Sequence, residues 1–426
     1  MSPHPLLEEL RWRGMLQQHT EGLSDALVAG MVAGYAGFDP SAPSLHVGNL
    51  VPVMGLVHLQ RHGHRPVILA GGGTGLIGDP SGKSTERPLL SPDEITANTS
   101  AIRRQLERFV DTSGDSGALV RNNADWLLEL KAVEFMRDVG KHFTVNYMMQ
   151  KESVKARLET GLSFTEFSYM LLQAYDYLQL HHRDAVALQV GGSDQWGNIT
   201  AGIELIRRVK STEAHGLTFT LLTTTSGAKF GKTEAGAVWL DPERTSPYRF
   251  YQFWINTDDR DVGQMLRFFT LLDRERIETL DGATQERPEG REAQRVLARD
   301  VTERVHGEHA LRAAEEVSGL LFGGADPKSL SLDALRQLER EIPVFTLAAS
   351  GDVTVSDVVT AVSSGKDALF KSRGEARRTL EQGGLYINGD RVLSLDQGIS
   401  ADQFLHGQYL LVRKGGRAYG LVHLRG

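Results

Sequence analysis

Cysteine is absent from all 426 residues, which excludes disulfides and thiolate metal sites and makes a reducing cytoplasm the expected setting. Long apolar runs are missing too: none approaches the ~18 residues needed to cross a bilayer, so no membrane role is expected. The first ten residues carry Glu8 and Glu9. They lack the basic-then-apolar order of a secretory signal and the Arg-rich, acid-poor make-up of a transit peptide. Positive charge is in deficit, 47 Lys and Arg against 54 Asp and Glu, which argues against a surface that grips nucleic acid everywhere. The deficit is uneven. From Gly351 to the end, ten Lys or Arg face eight Asp or Glu, a net of +2 on a chain that totals −7. Any polyanion is therefore handled by particular patches. With 40% apolar and 24% charged residues the chain can bury a sizeable core, and its length allows two or three domains.

Short apolar runs alternate with helical patterns in the first half. Residues up to about Thr20 read as a short helix, Met31 to Phe38 as a strand, and Gly48 to His62 as a helix. Arg65 to Ala70 and Ala185 to Val190 are runs of the kind buried parallel strands need, the first stopped by Gly71 to Gly75 and the second by Gly191 and Gly192. Helical patterns fill Ser91 to Asp111 and Trp126 to Val139. This alternation predicts an α/β fold with a doubly wound parallel sheet over residues 1–245, whose ligands sit beyond the carboxyl ends of the strands. Residues 246–323 read as a separate α-helical domain, 324–346 as a linker, and 347–426 as a small α+β unit.

Polar groups gather where strands end. The first end supplies Tyr35, Gly37 and Asp39, followed by His46, Gly48 and Asn49. Imidazole and amide, three residues apart, are expected on one face of a helix start, where free N–H groups favour anions. The second end runs from Gly71 to Ser84 and contributes Asp79 and Lys83, then Arg87. It is no Walker loop, because Gly82-Lys83-Ser84 would need glycine at the position of Ile77. The third end gives Gly192, Asp194 and Gln195. Tyr169, Gln173 and Asp176 are spaced to form one polar line along an otherwise apolar helix, facing either water or a polar pocket. Lys229, Gly231, Lys232 and Thr233 make a loop able to fold over a polyphosphate.

Together these stretches resemble class I aminoacyl-tRNA synthetases, and within them the bacterial-type tyrosyl group. Pro40 to Asn49 is similar to the HIGH signature, with Asn49 in place of its second histidine, and Lys229 to Thr233 is similar to KMSKS. Tyr35 to Asp39, Gly75 to Lys83, Tyr169 to Asp176 and Gly191 to Asn198 carry the closer likeness. Leu369 to Gly389 resembles the S4 RNA-binding module, with Lys371, Arg373, Arg377 and Arg378 on and before one helix.

The resemblance implies a Rossmann-like catalytic domain, an anticodon-binding helical domain and an S4-like tail. It implies a ligase that activates L-tyrosine with ATP and passes it to the 3′ end of its tRNA. His46, Asn49, Lys229, Lys232 and Thr233 would meet the phosphates, helped by Lys83 and Arg87. Gly37, Asp39, Gly48, Gly192 and Asp194 would complete the ATP site. Tyr35 and Asp176 would hold the phenol, Asp79, Tyr169 and Gln173 the ammonium group, and Gln195 the reacting carboxylate. Phenylalanine would leave the phenol partners unpaired, and tyrosine against phenylalanine is the standard illustration of that penalty. Magnesium would arrive with ATP, with no metal held by the protein itself, and a homodimer would be the working form. Two rivals remain: a tryptophan-specific relative of similar architecture, and a noncatalytic S4-type RNA-binding protein on a synthetase scaffold.

Overall fold

The structure is a computed structural model that describes residues 4–81, 89–151, 154–155, 161–225, 230–233, 236–348 and 353–425. Lys83, Arg87 and Lys229 lie outside the described residues, as do the side chains of Lys232 and Thr233.

One compact unit comprises Met1–Asp241 and Thr257–Leu297. Its centre is a six-stranded sheet of β1 (Leu16–His19), β2 (Ala33–Phe38), β3 (Arg65–Ala70), β4 (Leu119–Asn122), β5 (Val186–Gly192) and β6 (His215–Phe219). The order across the sheet is β1-β6-β5-β2-β3-β4. All neighbours are parallel except β1, which pairs antiparallel with β6. The parallel sheet expected from the alternation of runs is thus present, with one antiparallel edge strand added. The first segment differs from expectation: a helix covers only Pro5–Trp12, and Gly14, at φ +73°, turns the chain into β1. Hydrophobic burial fixes the centre, since Val67, Ile68, Leu188 and Leu217 are each no more than 1% exposed. The helix Leu50–Arg61 lies close against the sheet because Gly55 has no side chain: a Cβ there would run into the Phe219 ring.

The helical pattern read over Trp126 to Val139 is broken. Short helices cover Ala124–Leu127 and Ala132–Asp138, separated by Leu128 to Lys131. The long helix Phe164–Asp184 starts at Ser163, whose hydroxyl accepts the Glu166 N–H. After β6, a hairpin of β7 (Lys232–Thr233) and β8 (Gly236–Ala237) returns the chain towards the sheet's ligand end.

The second unit comprises Pro242–Asn256 and Ala298–Gly426. Among its helices are Pro247–Ile255, Glu308–Ser318 and Leu332–Leu338. The polar stretch 324–346 therefore carries a helix of its own and opens β9 (Val344–Ala348). Strands β10 (Val353–Thr354), β11 (Leu385–Ile387), β12 (Asp390–Arg391), β13 (Gly398–Ile399), β14 (Tyr409–Lys414) and β15 (Ala418–Arg425) follow. Four of them join β9 in a sheet of order β12-β11-β14-β15-β9, packed with the helices Val355–Val362 and Arg373–Glu381 around Val358, Phe370 and Leu410. No helix among the described residues is long and apolar enough to cross a membrane.

Candidate active site

The carboxyl ends of β2, β3, β4 and β5 open on one cavity of about 370 Å³, within the size range of small-molecule sites. Tyr35, Gly37, Asp39, His46, Asn49, Asp79, Tyr169, Gln173, Asp176, Gly192, Asp194 and Gln195 all line it. The polar line of the helix Phe164–Asp184 therefore faces a pocket rather than bulk water.

Burial dominates at the floor. Asp176 is 1% exposed and accepts hydrogen bonds from Asn123 Nδ2 at 2.8 Å and Trp126 Nε1 at 2.7 Å. Loss of solvent pushes its carboxyl up to about 8, against the pull of those two donors, and the charge of Asp39 adds to the rise. Beside it the Tyr35 hydroxyl is buried without a hydrogen-bond partner, and burial first, then the Asp176 charge, raises that phenol well above its ordinary range. Gln189 is paired in register with Tyr35 on the neighbouring strand and lines the same cavity, and its Oε1 is likewise buried and unpartnered. A buried polar atom without a partner is costly, so this floor is built for a ligand that brings its own donor and acceptor.

Further up, Tyr169 Oη donates to Asp39 Oδ2 at 2.9 Å, while Gln195 Nε2 donates to Asp79 Oδ2 at 2.6 Å and Gln173 Nε2 to Gln195 Oε1 at 3.2 Å. These groups form a mainly carboxylate and amide wall suited to a cation. Asp39, grouped above with the nucleotide, thus shares a hydrogen bond with Tyr169 of the amino-acid set.

His46 and Asn49 meet in a way the spacing alone did not indicate. His46 is extended, at φ −118° and ψ 168°, and precedes the short turn Val47–Asn49, so the two do not share a helical face. Instead His46 Nδ1 accepts the Gly48 N–H at 3.1 Å, and Asn49 Oδ1 accepts the His46 N–H at 3.0 Å. This reciprocal cap fixes both groups. An accepting Nδ1 leaves the proton of a neutral imidazole on Nε2, and a carbonyl oxygen already engaged turns the Asn49 NH₂ outward, so both present donors suited to an anion.

The lysine-bearing loop comes to the same place. Gly231, at φ +84°, is so close to the His46 turn that a Cβ on it would stand 3.1 Å from Gly48 N. Val47 N–H donates to Val238 O at 2.9 Å, and the Trp239 ring lies edge-on to His46 with centroids 6.1 Å apart. Phe230 stacks on Phe269 at 5.1 Å. The backbone of Lys232 pairs with Ala237 and that of Thr233 with Gly236. In the other unit Lys371, Arg373, Arg377 and Arg378 are all exposed, on and before the helix Arg373–Glu381.

Sequence reasoning missed Thr74, Asn123, Trp126, Gln189 and Trp239. Asn123 and Trp126 follow β4, a fourth strand end whose signal was present in Leu119-Val120 followed by Asn122-Asn123. Gln189 stands both in the apolar run and at the start of the third polar strand end, and no role was read for it.

A family profile described as "tRNA synthetases class I (W and Y)" matches residues 29–323, and one described as "Tyrosine--tRNA ligase SYY-like C-terminal domain" matches 334–422. A tyrosine–tRNA ligase of Anaeromyxobacter dehalogenans is 54% identical over 424 residues, covering 99% of each chain. That of Geobacillus stearothermophilus is 49% identical over 421 residues, covering 98% of this chain and 99% of the relative. Among solved structures, a C-terminally truncated mitochondrial tyrosyl-tRNA synthetase of Aspergillus nidulans is 30% identical, with a TM-score of 0.67 over 74% of this chain and 94% of its own. The chain belongs to the class I tRNA synthetases of the tryptophan and tyrosine group.

Proposed function

We propose that the cavity holds L-tyrosine with its phenol on the floor at Tyr35 and Asp176 and its ammonium group at Asp79, Tyr169 and Gln173, with ATP above it along the His46 turn. The chain is an ATP-dependent tyrosine–tRNA ligase. In the first step the tyrosine carboxylate oxygen bonds to the α-phosphorus and the bond to pyrophosphate breaks. In the second, a ribose hydroxyl at the 3′ end of the tRNA attacks the tyrosyl carbonyl and AMP leaves. Negative charge builds on phosphoryl oxygens while no covalent help is needed from the protein, so positioned donors carry the rate. His46 Nε2–H and Asn49 Nδ2 supply two of them. Lys229, Lys232, Thr233, Lys83 and Arg87 supply the rest, with Gly37, Gly48, Gly192 and Asp194 shaping the nucleotide site and Gln195 beside the reacting carboxylate.

The observation that carries this reading is the buried, unpartnered Tyr35 hydroxyl beside the buried Asp176 carboxylate: the pair asks for a phenol, and an indole or a bare benzyl ring leaves it unsatisfied. Magnesium enters on the phosphates. The catalytic part occupies residues 1–245, an anticodon-contacting helical part 246–323, and an RNA-binding tail 347–426 in which Lys371, Arg373, Arg377 and Arg378 meet tRNA phosphates. Exposed Leu128, Val133, Met136, Val145, Met149 and Phe164, close together in the chain, support a homodimer, whose setting we take to be the cytoplasm; light scattering that returned the mass of one chain would remove the dimer.

Charging of bulk tRNA with labelled tyrosine tests the reading. The wild type transfers tyrosine, and His46→Ala slows adenylate formation at least about tenfold with little change in tyrosine KM. Equal tyrosine charging by both proteins would take His46 out of the phosphate site.

A further inference from the structure

Between the phenol end of the cavity and its upper end runs an unbroken line of hydrogen bonds, buried at Asn123 and half-buried at Asp39, that the reaction as described does not use. Asn123 Nδ2 donates to Asp176 Oδ2 at 2.8 Å and to Thr74 Oγ1 at 2.8 Å. Thr74 Oγ1 in turn donates to Asp39 Oδ1 at 2.7 Å, and the other oxygen of Asp39 accepts the Tyr169 hydroxyl at 2.9 Å.

Every direction in this line is fixed. Asn123 Oδ1 accepts the N–H of Gly73 at 2.7 Å and of Thr74 at 3.4 Å, so the amide cannot flip, and both its N–H bonds point at oxygens. The Thr74 hydroxyl has a single proton, and since its oxygen already accepts from Asn123, that proton goes to Asp39. Thr74 is 2% exposed and Asn123 1%, so no water replaces either partner from outside. The turn that carries Thr74 is packed around Asp39: a Cβ at Gly71 would collide with Asp39 Oδ1 and lie 2.7 Å from Thr74 Oγ1.

We propose that Thr74 is a positioning residue: through Asn123 on one side and Asp39 on the other, its hydroxyl sets Asp176 and Tyr169 at the separation that spans a bound tyrosine from phenol to ammonium. This rests on the reading of the cavity as the tyrosine site. The proposal goes beyond it, because that reading gives Thr74 and Asn123 no role. Thr74 bonds both to Asp39 and to the amide that holds Asp176, so its hydroxyl joins the two carboxylates. Without the hydroxyl, the Asn123 N–H that points at Thr74 loses its buried acceptor and Asp39 loses the Thr74 bond, so the two ends are no longer joined.

The test uses the full chain with Thr74→Val, which keeps size but removes the hydroxyl, and Thr74→Ser, which keeps the hydroxyl but removes the methyl. Tyrosine-dependent ATP–pyrophosphate exchange gives kcat and KM, with phenylalanine as competitor. For Thr74→Val, tyrosine KM rises about tenfold with kcat within about twofold, and the preference for tyrosine over phenylalanine falls at least about threefold. Thr74→Ser returns both to near wild type. A Thr74→Val enzyme with wild-type KM and preference overturns the proposal. So does a Thr74→Ser enzyme as impaired as Thr74→Val, which would assign the effect to packing of the methyl group. A wild-type chain without tyrosine-dependent exchange strikes the reading of the cavity itself, and is told apart because it needs no variant.

Discussion

Gly231 packs directly on Gly48: a Cβ on the first would lie 3.1 Å from the amide nitrogen of the second and 3.0 Å from Val47 Cγ2. Two loops nearly two hundred residues apart in sequence thus approach to backbone contact at the mouth of the cavity. Gly231→Ala puts a side chain in that gap and strains a residue at φ +84°, at a cost of about 1–2 kcal/mol. Adenylate formation is expected to slow at least about tenfold while tyrosine KM stays within about twofold, as pyrophosphate exchange at saturating and limiting tyrosine shows. An equal rise in tyrosine KM would mean that the loop shapes the amino-acid site as well.

The Tyr35 hydroxyl is held buried and unpaired in the fold. Tyr35→Phe should therefore leave thermal stability equal or raise it, by up to about 1–3 kcal/mol, while eroding discrimination against phenylalanine at least about tenfold. A melting curve and competitive exchange, read together, check this opposition. Unchanged selectivity would remove Tyr35 from the phenol site.

Burial pushes the Asp176 carboxyl up to about 8, far above its usual range. A group whose folded value lies above its unfolded one binds more protons in the fold. Its contribution to stability is fully present below about pH 4 and is lost as pH rises through about 8. The wild type should lose melting temperature between pH 5 and 9 more steeply than Asp176→Asn, which has no proton to release there. The variant itself should be less stable throughout, since one amide cannot satisfy both the Asn123 and Trp126 donors as a carboxylate does. Parallel curves would show that the carboxyl does not titrate in this window.

Arg377 and Arg378 are exposed on the helix Arg373–Glu381, and Arg377 has Glu381 at 3.5 Å on a solvated surface. Changing both to Glu should leave pyrophosphate exchange intact and lower tRNA charging at least about tenfold, with a shallower salt dependence of what remains. Parallel loss of both activities would assign this helix to the fold instead.

How much of this was legible depends on which signal each residue sends. Burial on both faces makes β3 a run of apolar residues that any reading finds, and the glycines after it mark its end. β4 is four residues long, half-buried throughout and contains Arg121, so its end, and with it Asn123 and Trp126, stayed hidden. β1 is the polar edge strand Leu16-Gln-Gln-His19, held by backbone pairing that leaves no trace in side-chain pattern. Tyr169, Gln173 and Asp176 announced their shared line through helical periodicity, and the sheet supplied what periodicity lacks, namely which way that line faces. The placement of His46 and Asn49 failed for a local reason: their spacing fits a helical face, but an imidazole that accepts its own turn's N–H must sit before the helix.

The central claim is that separated segments close on one cleft whose floor demands a phenol. Pyrophosphate exchange run in parallel with tyrosine, phenylalanine and tryptophan tests it most directly. The account predicts rapid exchange with tyrosine and exchange lower by orders of magnitude with the other two. Exchange with tryptophan in preference to tyrosine, or with none of the three, would contradict it.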